Sequence, residues 1–571
     1  MASSSRRRLS PLTLMQEFED SEDEQMFFSD SSDSYVANMS SSDSESDSDD
    51  FTEEVESIRT WIAKDPTQNN PAPPRFPFTG EPGQKVPCDP IPLVYLKLFL
   101  DEAIIQIIVE ETNRYAEQQP GPFRRFARGK RWEPVTQDEI WLFLAILILQ
   151  GVVGKPCQTS YWSTNRLIAT PFFGTVMSEN RFSLIMKNLH FMNNETFDEA
   201  THPAPKLWKI YDLFQMVIRK FQSVYVPERD VSVDESLMAY KGRLAWKQYI
   251  SSKRARFGIK SFVLCESNSG YIWNAIIYTG KGTQFDPSYS QFGLASASVL
   301  SLISPLLGQG YCLTTDNYYT SPELYEHLIR HKTDSYGTVQ PNRRDLPSAF
   351  SAQKLKPGEI TAWQKGKLMA LRWKDKKDVS VLSTVHNTDT AAAKNRAGKT
   401  IQKPQVILDY NQTMGGVDRA DQCITFYPVV RKQQRKYYKK IFRHLVEQCL
   451  WNSYALYKKQ NYRPLSHFDY ILKICEEICL QHQQPQTEAN RPGRRASYVV
   501  NPVRLTGRHF VEHVPPTERK ATPTSMCVVC CSKRGPNGKK VRKETRFYCP
   551  ECDVGLCAVP CFKIFHTQEV Y

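Results

Sequence analysis

From Pro92 to Gln118 apolar residues recur at three- and four-residue spacing, which predicts a helix. A second helix is predicted to open at Thr136, where Thr136, Asp138 and Glu139 suit a helix N-terminus. Its centre, IWLFLAILIL, is apolar on every side and is therefore buried all round. Helical pattern continues through ENRFSLIMKNLHFM and KIYDLFQMVIRKFQSVY. Near Val231 the texture changes to short segments rich in β-branched and aromatic residues. VSVDESLMAY, FGIKSFVLCE and YIWNAIIYTG predict three successive strands. Helix-like SASVLSLISPLLGQG, a fourth strand in YCLTTDNYY, helix SPELYEHLIRH and a fifth strand around SYGTV complete a mixed α/β sheet. LMALRWKDKKDVSVLSTVH reads as a β-hairpin pair within a polar, basic insertion, after which QVILDYNQTMGGVDRADQ resumes the α/β material. Residues 425–482 are helical again.

The chain has 571 residues, enough for several domains, and its 40% hydrophobic and 24% charged content is ordinary for a globular protein. Its longest apolar run, Ile140 to Leu149, is half of the about 20 residues a membrane span needs, so no membrane partner is expected. The N-terminus lacks the continuous apolar core of a signal peptide. The net charge of +13 conceals a division, because residues 16–57 carry sixteen acids and no Lys or Arg. That acidic, Ser-rich tail is expected to be disordered. With Arg6, Arg7 and Arg8 set aside as well, residues 58–571 hold a net +26, which suits a polyanionic partner such as nucleic acid.

Four carboxylates are candidates for chemistry. Asp234 sits in the first strand of the sheet and Asp316 at the end of the fourth, and strand ends are where α/β sheets build sites. Asp418 and Asp421 in MGGVDRADQ are three residues apart, hence on one face of a helix, and the preceding Gly-Gly permits close approach. Like charges on one face repel, a cost tolerated in solvent or around a cation. Converging carboxylates and divalent metal suit phosphoryl transfer on nucleic acid, with Mg²⁺ (or Mn²⁺) expected from the hard oxygen ligands.

Basic residues cluster between Arg431 and Arg443, where Arg431, Lys432, Arg435, Lys436, Lys439 and Lys440 occur with no acid. Such a stretch supplies salt-sensitive phosphate affinity, the alternative being a solvated helix face. Lys253, Arg254, Arg256 and Lys260 follow the first aspartate and are expected to grip DNA near the pocket. At the C-terminus Cys527 and Cys530, then Cys549 and Cys552, form two CxxC pairs, with Cys557, Cys561 and His566 following closely. That spacing selects Zn²⁺, and so short a segment needs the metal to fold. Seven ligands fall one short of two tetrahedral sites, and Cys531, His509 or His513 could complete an interleaved cross-brace. Cys475, Cys479 and His482, at helical spacing among Ile and Leu, read as core.

VSVDESLMAYKGRL, KRARFGIKSFVLCES, LTTDNYYTS, GTVQPNRRDLP and DYNQTMGGVDRADQ, in that order, resemble the piggyBac family of cut-and-paste DNA transposases. The likeness runs from about residue 79 to the C-terminus and is nearest to vertebrate piggyBac-derived proteins. It implies a multidomain α/β protein with a ribonuclease H-like catalytic core, an inserted β-rich domain, a split helical dimerisation and DNA-binding domain, and a C-terminal zinc-binding cross-brace. The expected divisions are a disordered tail over 1–78 and the helical domain over 79–227 and 425–482. The catalytic domain takes 228–339 and 405–424, the insertion 340–404, a linker 483–525 and the zinc module 526–571. The resemblance places the catalytic acids at Asp234, Asp316 and Asp418, the metal-binding set, with Asp421 as the additional acid. It also assigns Arg343 and Arg344 to basic DNA-binding positions, and Tyr437 to a position usually held by a base-stacking Trp. The implied reaction is nicking at transposon ends, hairpin formation and joining at TTAA, by a homodimer on double-stranded DNA. A nuclear location follows from that substrate and from basic clusters such as Arg491, Arg494 and Arg495. A catalytically silent, domesticated DNA- or chromatin-binding descendant is the alternative.

Overall fold

The computed structural model describes residues 60–68, 71–118, 132–251, 253, 255–394, 400–431, 434–483, 508–516, 520–533 and 541–568. The tail before residue 60, most of the 483–525 linker and the cluster at Arg491, Arg494 and Arg495 lie outside them. Strands run over Ile62–Lys64 (β1), Gly83–Gln84 (β2), Tyr225–Val226 (β3), Asp230–Ala239 (β4), Gln248–Tyr249 (β5), Phe257–Glu266 (β6) and Ile272–Ile277 (β7). They continue with Cys312–Thr315 (β8), Asp334–Thr338 (β9), Ile360–Lys365 (β10), Leu368–Lys374 (β11), Asp378–Ser383 (β12), Thr390–Lys394 (β13) and Thr400–Pro404 (β14). Ten of these form one mixed sheet in the order β1-β10-β11-β12-β9-β8-β4-β6-β5, with β7 also paired to β6. β4, β8 and β9 run parallel, whereas β6, β7 and the β10–β12 strands pair antiparallel.

The principal helices are Pro92–Lys97 (α1), Glu102–Glu117 (α2), Gln137–Val152 (α3), Glu179–Asn188 (α4), Tyr211–Val224 (α5) and Leu294–Ile303 (α6). Pro322–Arg330 (α7), Gln405–Thr413 (α8), Gly416–Phe426 (α9), Tyr437–Gln460 (α10) and His467–His482 (α11) follow. The Thr136 hydroxyl accepts from the Glu139 amide and caps α3, whose residues from Ile140 to Gln150 are buried without a break. That run finds its partners in α11, far along the chain, and in α2, while α10 packs on α1, α5 and α9. A single core therefore joins helices from before and after the sheet to the sheet itself, through residues such as Ile146, Ile474, Phe221, Tyr271 and Val231. Cys475 is buried in it and His482 stacks on Trp141 and pairs with Asp138, so both serve packing. Among the described residues no helix is long and apolar enough to cross a membrane.

Within the segment 340–404, β12 pairs with β9, and β10 and β11 extend the same sheet outward. Leu371 and Val381 pack with Tyr336 and Ile407 in a second core, so these strands complete a layer that β9 alone would leave as an open edge. The β13–β14 ribbon forms a separate two-stranded sheet. Residues 60–68 and 71–78, assigned above to the tail, also make defined contacts. β1 pairs with edge strand β10, the Trp61 indole donates to the Asp345 carbonyl, and Phe78 packs edge-on against Tyr311. These aromatic anchors are hidden when composition is averaged over the acidic segment.

One buried carboxylate ties α10 to the sheet. Glu266, at the end of β6 and fully buried, accepts from Lys459 (2.6 Å), Ser269 (2.6 Å), the Tyr225 hydroxyl (2.5 Å) and the Glu228 amide (2.8 Å). Burial works to raise its pKa, but these four donors together hold it below the ordinary carboxylate value. Lys459→Met leaves that anion without its countercharge and is expected to destabilise the fold by about 3 kcal/mol. Chemical denaturation checks this; an unchanged midpoint would mean the neutral donors suffice.

Candidate functional site

β4 is flanked by β6 on one side and by parallel β8 on the other, and Val233 pairs with Thr315. The next residue on each strand is an aspartate, so Asp234 and Asp316 come to adjacent positions on neighbouring strands. Asp316 leaves the strand in a tight turn. Its carboxylate accepts from the Tyr318 amide (3.0 Å) and its carbonyl accepts from Thr320. Arg343 donates to the Asn317 and Tyr318 carbonyls and so clamps that turn.

α9 brings the remaining acids across the same strands. It begins at Gly416, where a Cβ would stand 2.6 Å from the Ser232 hydroxyl and 3.0 Å from the Glu266 carbonyl. Only glycine allows the helix to sit so close on β4. Asp418 in its first turn is exposed, and Asp421, one turn on, accepts from the Ser236 hydroxyl (2.7 Å). Ser232, Asp234 and Ser236 alternate along β4, so the face that receives the helix is the face that carries the acid.

Burial pushes the Asp316 carboxyl up to about 7, with Glu235 adding to it. Burial also raises Asp234 well above the usual carboxylate value, reinforced by Glu235, Asp316 and Asp418, and raises Asp421 despite its Ser236 bond. Lys253 supplies a countercharge, 3.8 Å from Asp418 and bonded to the Glu235 carbonyl. Burial alone would lower its pKa, but Asp234, Asp418 and Glu235 together raise it. Carboxylate oxygens are hard donors of the kind a divalent cation takes, although among the described residues only the Cys/His sets of the C-terminal unit bring their ligand atoms mutually within 4.8 Å. Glu235 and Ser236, neighbours of Asp234, were not singled out from sequence; their only signal was adjacency.

The basic candidates separate into three groups. Lys253, Lys260 and Arg343 surround the acids, with Lys260 over the Phe262 and Tyr318 rings. Arg256, Arg344, Arg435 and Lys436 are exposed, while Arg254 and Lys432 lie outside the described residues. Lys439 and Lys440, expected on a DNA-facing surface, are instead 4% and 1% exposed. Lys439 donates to the Met186 and Lys187 carbonyls at the C-terminus of α4, and Lys440 lies over the Tyr240 ring. Burial lowers them to about 7 and about 8. Arg431 is likewise committed inward, to the Tyr161 hydroxyl and the Lys155 carbonyl. The reason is geometric: a run of cations along a helix is distributed over all its faces, and α10 is buried on most of them. Tyr437 opens α10, half-buried and edge-on to Trp246.

In the C-terminal unit the cysteines assemble into two sets of ligand atoms, each mutually within 4.8 Å. One is Cys527, Cys530, Cys557 and Cys561; the other is His509, Cys549, Cys552 and His566. Cys530 to Cys561, Cys549 to His509 and Cys552 to His509 are each 3.5 Å apart. A tetrahedron with bonds of about 2.3 Å has edges of about 3.7 Å, so both sets fit zinc. His566 Nδ1 bonds the Phe562 carbonyl (2.8 Å), and its Nε2 faces Cys552. The sets alternate along the chain, which is the cross-brace arrangement. His509, rather than Cys531 or His513, is the eighth member of these sets, so the module begins upstream of residue 526.

The family described as Transposase IS4 matches residues 91–454, and a DDE_Tnp_1-like zinc finger matches residues 506–567. Human PiggyBac transposable element-derived protein 3 is 28% identical over 491 residues, covering 84% of this chain and 76% of its own length. Human PiggyBac transposable element-derived protein 2 is 26% identical over 381 residues, 64% of this chain and 61% of its own. A solved structure of the piggyBac transposase synaptic complex with hairpin DNA shares the fold, with a TM-score of 0.64 at 23% identity, over 84% of this chain and all of that one.

Gly416→Ala ordinarily gains helix propensity, but here the methyl forces α9 off β4 and is expected to cost about 1–3 kcal/mol. Thermal unfolding checks the sign; a stabilised variant would show that the helix can shift freely. Metal analysis of the purified chain is expected to give two zinc ions, one for each ligand set. His509→Ala should give about one, while Cys531→Ser keeps both.

Proposed function

This chain belongs to the piggyBac-type transposase family, and on that premise we propose that it is a metal-dependent, cut-and-paste DNA transposase. It nicks the ends of its element, excises through hairpin intermediates and integrates at TTAA. The observation that carries the reading is the placement of Asp234 and Asp316 side by side on parallel strands, with Asp418 delivered by a helix that only glycine seats. The order β7-β6-β4-β8-β9, antiparallel and then parallel, supports a ribonuclease H-like core. Asp234, Asp316 and Asp418 would hold Mg²⁺ or Mn²⁺, whose chemistry in phosphoryl transfer is to activate the attacking oxygen and stabilise the leaving one.

The chain's own residues do the rest. Ser236 orients Asp421, and Arg343 holds the Asp316 turn. Lys253 balances the acids before a polyanion enters. Arg256, Arg344, Arg435 and Lys436 meet the phosphate backbone and make binding salt-dependent. Tyr437 supplies an aromatic face for an unpaired base. The zinc module reads the element's ends, the chain works as a homodimer, and its substrate places it in the nucleus. The synaptic, hairpin-bound state of the structural relative supports the hairpin step. A second reading, a silent DNA-binding descendant, is favoured by one observation: the curated relatives are themselves named as transposable element-derived proteins.

Excision of a marked donor plasmid, carrying ends from the gene's own flanks, separates the two. Wild type is expected to excise and restore TTAA, and Asp316→Asn to lose excision while still binding the ends. Binding without excision by the wild type favours the silent descendant, and joint loss of binding and excision in Asp316→Asn removes the metal-ligand role.

A further inference from the structure

The strand that carries Asp316 and the helix pair that carries Asp418 meet at one hydroxyl. Thr413, the last residue of α8, lies five residues before Asp418, and Thr314 lies two residues before Asp316 on the same face of β8. Their hydroxyl oxygens are 2.9 Å apart. The Tyr336 hydroxyl, from the neighbouring strand β9, is also 2.9 Å from Thr413 Oγ1. Tyr336 pairs in register with Thr314, and Thr314 with Ser232, two residues before Asp234.

The donor count fixes the directions. Thr413 gives its single proton to the Asp409 carbonyl one turn earlier, at 2.8 Å. Its two lone pairs are then left for Thr314 and Tyr336, each of which has one proton to give. The hydroxyl is thus fully used, and both donors sit on buried strand residues. The middle of α8 is held by the side chain of the same Asp409. His386 Nε2 bonds Asp409 (2.9 Å) and its Nδ1 bonds Ser383 (2.7 Å), whose oxygen already accepts from the Val385 and His386 amides. Ser383 is fully buried, so this serine, histidine and aspartate set anchors the helix and offers no nucleophile.

We infer that Thr413 is a positioning residue that sets the distance between Asp316 and Asp418, coupling the register of β8 to the seat of α9. The inference rests on the metal-site reading proposed above. Only Met414 and Gly415 separate Thr413 from α9. A slip at this bond therefore passes directly to Asp418, while Asp316 stays fixed by its own turn. Thr413→Val keeps the shape and removes the acceptor, whereas Thr413→Ser keeps the acceptor.

The test is Mn²⁺ binding to the full, zinc-loaded chain, followed by electron paramagnetic resonance, with thermal unfolding alongside. Asp316→Asn is expected to lose Mn²⁺ affinity. Thr413→Val should weaken it by about tenfold, the lower end for residues that orient metal ligands, and Thr413→Ser should remain within about twofold of wild type. Wild-type affinity in Thr413→Val, or equal weakening in Thr413→Ser, overturns the inference. If Thr413→Val unfolds early, Tyr336→Phe carries the test by deleting a partner hydroxyl outside the helix. A several-fold loss is then expected, and unchanged affinity overturns the inference. Should Asp316→Asn bind Mn²⁺ as the wild type does, the metal-site reading itself fails and takes this one with it. Loss in Asp316→Asn alone removes only the role of Thr413.

Discussion

Carboxylates held side by side repel, and the architecture around β4 and β8 exists in the face of that repulsion. The parallel register sets Asp234 beside Asp316, and burial makes their mutual charge harder to bear than it would be in water. Each neighbouring feature answers that constraint. Gly416 lets a helix close over β4, Ser236 bonds the fourth acid, Lys253 stands among the carboxylates, and Arg343 fastens the turn that follows Asp316.

Positive charge follows a different rule. On α10, Lys439 and Lys440 are drawn into the interior, where helix-end carbonyls and an aromatic ring receive them. Their neighbours Arg435 and Lys436 remain in solvent. The same residue type therefore serves two purposes within six positions. Side-chain length explains how: lysine reaches past an apolar face to a polar group several ångströms away. Counting cations along the chain measures the charge available to a polyanion only after this inward share is removed.

The C-terminal unit depends on metal in a more literal way. Its buried apolar side chains are few, Val529, Val554, Leu556 and Phe565 among them, and the remainder of its core is cysteine. Two interleaved ligand sets do there what a hydrophobic core does elsewhere, since each joins segments distant in sequence.

Much was legible in the sequence because its signals are local. Period and composition identified β4, β6, β7, β8 and β9, the wholly apolar α3, and the acids those elements carry, while paired cysteine spacing identified the metal chemistry. A side chain's face follows from its own neighbours, so these readings needed no partner. What the sequence left open depends on contacts between distant segments. The extension of the sheet by β10–β12, the strap that begins at Trp61, the selection of His509 among three candidates and the inward turn of Lys439 and Lys440 are all of this kind. So is the meeting of Thr314, Tyr336 and Thr413 at one oxygen. Local periodicity determined which residues could line a site, and only tertiary packing decided which of them share it, because hydrogen bonds and ligand sets are defined by ångström distances that sequence separation does not encode.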